Sequence, residues 1–300
     1  MMISKLKITS FHNLFFSNIS KNIVEKIILN IALLSFLVHL ALIFISKNNI
    51  FGFNFSSDLF DNSIIAIYTP FSFILIYEVY LLVYYLPQSF TSYLSKQYEI
   101  ITLIVLRRFF KDISSFDTQN ITLLNIINSQ IFYDLLAALI LFFIVYLFKY
   151  NVIRNRNKRI LEENVGLRRF VYQKQVIASI LIPLFFFMAL YSFYNWFLES
   201  VNGNSILITN LNHIFFEDFF NILIFVDIII LLLSFFYKQS FHKIIRNSGF
   251  IVSTIIIRIS FGVSGLINLS LIISALLIGL CVLTIHNLFE KIEYGNKNLD

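Results

Sequence analysis

Glu78, Asp227 and Arg258 each interrupt a long apolar run. Glu78 follows Ile74, Leu75, Ile76 and Tyr77, Asp227 sits between Val226 and Ile228, and Arg258 is flanked by Ile255, Ile256, Ile257 and Ile259. If such runs cross a lipid bilayer, each charge costs about 2.5–3.5 kcal/mol at mid-span, so its presence calls for a partner or a task. Carboxylates in that setting bind or relay a cation or a proton. Asp134 lies near one end of its run, Glu217 and Asp218 stand at the start of another, and Arg107 and Arg108 close a short apolar segment. The expected arrangement has Glu78, Asp227 and Asp134 as acidic sites, with Arg258, Arg107 and Arg108 as counter-charges. Two uses fit that pattern: static pairs that set helix register, or a path for an ion.

Ser253, Ser260, Ser264 and Asn268 recur at intervals of seven, four and four, a stripe on one face if the segment stays helical. Such a stripe lines water or packs helices, and hydroxyl residues more often pack. Gly262 and Gly265 interrupt the same segment and predict a hinge beside Arg258, since glycine lowers helix preference.

Signatures of common catalytic sites are absent from the chain: no HExxH, CxxC, GxGxxG or Walker phosphate loop occurs. The five histidines are scattered singly, without ligand spacing. The expectation is therefore no enzyme, no cofactor and no metal. The lone Cys281 has no partner for a disulfide.

The elements that must hold these residues follow from composition. Apolar residues make up 58% of the 300, charged residues only 13%, and mean hydropathy is +0.80. Soluble domains carry about 25% charged residues. Six apolar runs approach or exceed the roughly 20 residues needed to cross the hydrocarbon: about 24–45, 63–86, 127–148, 176–198, 215–237, and the second part of 249–288. The fold expected is an all-α polytopic transmembrane bundle with six to eight crossings. Residues 1–22 form an interfacial cytoplasmic segment, 23–290 a single membrane domain, and 291–300 a tail. The first arm of the final stretch, roughly 14 residues before Gly262, is expected to be too short to cross. Residues 93–113 form a further short helix, either amphipathic at the interface or buried among neighbours.

Net charge is +6, with Arg154, Arg156, Lys158, Arg159, Arg168, Arg169 and Lys174 gathered between two runs. That crowding is the orientation signal of a cytoplasmic loop and not the footprint of a nucleic-acid binder. The cluster could also touch anionic lipid heads. The chain is expected in a bacterial cytoplasmic (inner) membrane with its N-terminus inside, alone, as a homo-oligomer or with a membrane partner. Its leading functional reading is a channel or transporter subunit for an ion or small solute. The rival is a non-transporting scaffold of a larger membrane complex.

Overall fold

A computed structural model describes residues 16–48, 66–114, 130–156, 165–201, 208–237 and 240–296. Within them lie eight helices: α1 (Asn18–Lys47), α2 (Tyr68–Tyr85), α3 (Phe90–Ser114), α4 (Gln130–Arg156), α5 (Val165–Val201), α6 (Ile208–Phe235), α7 (Phe241–Phe261) and α8 (Gly265–Asn296). No strand occurs among the described residues. Six helices, α1 and α4 to α8, contain apolar stretches long enough to cross a bilayer.

Ser17 starts α1 by accepting a hydrogen bond from the Ser20 amide, which satisfies one of the orphan donors of the first turn. The helix then runs for 30 residues, about 45 Å at the helical rise. Most of the expected surface segment 1–22 lies outside the described residues, and its last part forms the start of α1. The second apolar run folds as α2, 18 residues long and so about 27 Å, slightly under the hydrocarbon thickness. Residues 93–113 fall inside one continuous 25-residue helix, α3.

The final stretch differs from expectation. Its first arm is not a short piece of about 14 residues but a 21-residue helix, α7, which begins at Phe241. An apolar window misses this start because Lys243, Arg246 and Asn247 interrupt it, yet Arg246 and Asn247 are buried there. The break itself falls where the glycines stand. Gly262 caps α7 through its amide to the Ile259 carbonyl, and Gly265 opens α8 with a φ of 71°, a left-handed value that favours glycine.

The chain divides into two compact units, one of residues 1–84 with 100–138, the other of 85–99 with 139–300. In the second unit α5 packs on α6, α6 on α7, and α7 most extensively on α8. Bonds from Arg246 to His286, Ser253 to Ala275 and Asn268 to Ser260 show α8 numbers falling as α7 numbers climb. The two helices therefore form an antiparallel hairpin. Large apolar side chains cover the outside, Phe142 at 70% and Phe225 at 67% exposure among them. An apolar surface on this scale belongs against lipid, because a soluble monomer exposes patches of only a few hundred Å².

Candidate functional site

In the second unit several polar side chains are buried among the packed helices. Asp227, on α6, is 3% exposed. The Gln97 amide donates to its Oδ2 at 3.2 Å, and the Tyr93 hydroxyl, one helical turn earlier on α3, lies beside the same carboxylate. Oδ1 of Asp227 takes no well-aligned hydrogen bond among the described residues. A carboxylate in this position is held by neutral dipoles, and its nearest opposite charge is Lys174 on α5.

Lys174 was expected in the basic cytoplasmic loop, but it is 3% exposed. Its Nζ donates to the carbonyl of Gln88, in the link between α2 and α3, and lies 4.9 Å from the Phe90 ring centre and 5.5 Å from that of Phe170. The rings add cation–π attraction that partly offsets lost hydration. The next cation within electrostatic reach of Lys174 is Arg246 on α7. Arg246 holds the Asn247 carbonyl oxygen with Nε at 3.1 Å and Nη2 at 2.9 Å, and gives Nη1 to His286 Nε2 at 2.9 Å. His286 stacks on the half-exposed ring of His242 with centres 5.0 Å apart, and its Nε2 is 3.2 Å from Glu290 Oε1. Buried ionisable groups thus run in sequence from Asp227 through Lys174 and Arg246 to His286, ending at a rim that water can reach.

The chain is a multi-spanning membrane protein. No family model, curated protein or solved structure matches it.

Other residues singled out by type fall into separate settings. Arg258, the expected counter-charge, gives its Nε to Asn221 Oδ1 at 2.6 Å. Ser253 and Ser260 are buried in the α7–α8 hairpin, and Asn268 donates to the Ser260 carbonyl across it. Ser264 does not continue their face, because the helix breaks at Gly262 and leaves Ser264 exposed in the turn. Ser253 donates to the Ala275 carbonyl at 2.7 Å and meets the Tyr98 hydroxyl at 2.6 Å, so it packs helices together.

In the first unit Asp134 is fully buried and receives a two-pronged contact from Arg108, Nε at 2.7 Å and Nη2 at 3.1 Å, plus the Gln130 amide at 2.8 Å. Bidentate geometry and a third donor suit a structural carboxylate. Glu78 is buried on α2 and, with Arg107, Phe71, Ile74, Leu103 and Ile104, lines a crevice of about 10 Å³, room for about one water.

Of the basic cluster, Arg154 and Arg169 are exposed. Lys158 and Arg159, and the side chains of Arg156, Arg168 and Glu217, lie outside the described residues.

Tyr93, Gln97, Lys174, Arg246 and His286 did not stand out in the sequence. A faint signal existed for some. Tyr93 with Gln97, and His286 with Glu290, are spaced i, i+4 and therefore share a helix face. Lys174 carried none, since its neighbours in sequence are ordinary loop-flanking cations.

Proposed function

We propose that this protein moves a proton or a small monovalent cation across the membrane, with Asp227 as the binding group and Lys174 as its counter-charge. The observation that carries the reading is the run of buried ionisable side chains, Asp227, Lys174, Arg246 and His286, that leads to the half-exposed His242. A static pair needs two members. A string that leads from mid-helix to a wet rim offers successive stations instead.

Charge bias places the ends. Arg154 and Arg169 flank the link from α4 to α5, Lys243 and Arg246 begin α7, and Lys291 ends α8. All three lie on the cytoplasmic side when α5 to α8 cross; with α1 and α4 also crossing, α2 and α3 either both cross or both do not. The N-terminus is then cytoplasmic, as in a bacterial inner membrane, and the basic loop faces anionic lipid heads. Crossings number six or eight.

A second reading, a scaffold in a membrane complex, draws on α1. Only Ala32 and Ile43 are buried on that helix; one side bonds to α2 through Glu25 with Tyr77 and His39 with Thr69, and the other is left for lipid or for a partner helix.

Flux in reconstituted vesicles separates the two. A trapped pH-sensitive dye follows protons, and a rubidium tracer follows monovalent cations. The expected result is flux through the wild type and none through D227N, with equal helical content and elution volume for both. Wild-type vesicles as tight as empty ones, with a partner that co-purifies, would establish the scaffold.

A further inference from the structure

We propose that His242, His286 and Glu290 form a binding site for a first-row divalent transition ion such as zinc. One ring nitrogen of each histidine and one carboxylate oxygen lie within 4.8 Å of one another, contributed by the two helices of the α7–α8 hairpin. Zinc at about 2.0–2.1 Å from each ligand in a tetrahedron sets ligand-to-ligand edges of about 3.3 Å. The His286–Glu290 edge is already 3.2 Å. His242, half-exposed and on its own helix, has to swing inward from its contact with Ser240, and Arg246 has to give up its contact with Nε2. Spacing of i, i+4 on α8 holds the other two on one face.

The contacts of His286 point to a cation. Arginine only donates, so the contact of Arg246 Nη1 with His286 Nε2 makes that nitrogen a lone-pair acceptor, and the ring proton sits on Nδ1. The His286 Nδ1 atom is buried and has no hydrogen-bond partner among the described residues. On its other side a lone pair faces the Glu290 carboxylate oxygen 3.2 Å away. Two electron-rich atoms at that distance repel unless a positive centre lies against them. Arg246 is the positive centre in place, and it keeps two further bonds to Asn247 Oδ1 through Nε and Nη2. A divalent ion on Nε2 displaces Nη1, and because the guanidinium is planar and rigid, the whole group has to turn away from His286 as the ion enters. Neutral imidazoles with one carboxylate favour zinc, copper, nickel or cobalt over magnesium or calcium. Three protein ligands leave a fourth position for water, and His242 at the rim supplies the way in.

Binding can be measured in detergent with no gradient, so the site stands or falls independently of Asp227 and of any flux. Full-length protein with its purification tag removed is stripped with a chelator and equilibrated with zinc. Bound metal is counted by atomic emission after gel filtration, and cobalt serves as an optical probe of the same ligands. The expected result is about one zinc per chain, with affinity at least tenfold weaker in H242A and in E290Q. His242 is half-exposed, so its substitution spares the core, and circular dichroism confirms the fold of each variant. R246Q removes the competing charge and binds zinc severalfold more tightly. Wild-type zinc no higher than that of H242A and E290Q overturns the site, and weaker binding by folded R246Q overturns the displacement geometry.

Discussion

The Tyr98 hydroxyl fills the space that a side chain at position 279 would need. A Cβ built on Gly279 falls 1.7 Å from that oxygen and 2.8 Å from the ring carbon that bears it. Tyr98 is itself fully buried and meets Ser253 on α7, so one ring of α3 keys into the α7–α8 hairpin at a point that carries no side chain.

Gly279→Ala tests that fit, because two effects oppose each other. Alanine raises helix preference by about 1 kcal/mol, while overpacking a full core costs about 1–3 kcal/mol. The clash should win, because the ring cannot swing out of a closed site. The expected outcome is a lower midpoint of thermal unfolding in detergent. Tyr98→Phe relieves none of the ring contact and loses about 1 kcal/mol for the hydrogen bond, whereas Tyr98→Ala with Gly279→Ala should show strong non-additivity. An alanine variant as stable as the parent would mean that Tyr98 does not sit there.

Lys174 and Asp227 should be coupled in stability as well as in function. Removing the cation alone, as in Lys174→Met, leaves a buried carboxylate with only an amide and a phenol beside it. The loss should fall below that of a broken buried ion pair, about 3–5 kcal/mol, since the two groups interact through the field and not by direct contact. Replacing both, K174M with D227N, removes the stranded charge and should recover part of that loss. The readout is the coupling free energy of the four-protein cycle, measured by denaturation in mixed micelles. A value near zero contradicts the pairing.

Orientation can be read by labelling. The chain has one cysteine, so C281S provides a thiol-free background in a single step. Ser264 is exposed in the α7–α8 turn, and Arg154 and Lys243 are exposed at helix ends on the opposite side of the charge assignment. An impermeant maleimide added to intact cells should label S264C, and should reach R154C and K243C only after the cells are opened. The reverse pattern would place the basic clusters outside and remove the topology proposed above.

Membrane class and most helix positions were legible in the sequence because they depend on local sums. Length and hydropathy of a run decide whether it suits lipid, and Gly262 with Gly265 marks a break that occurs where it stands. Local sums also mislead, as at α7, where polar residues inside a helix resemble a loop until a partner helix covers them. Arg246 and Asn247 belong to the core because α8 brings His286 from 40 residues away. Lys174 beside Asp227, Tyr98 over Gly279 and His242 on His286 were likewise decided by tertiary structure. Each pairs groups far apart in the chain, and the low dielectric that makes such pairs matter exists only once the helices have closed around them.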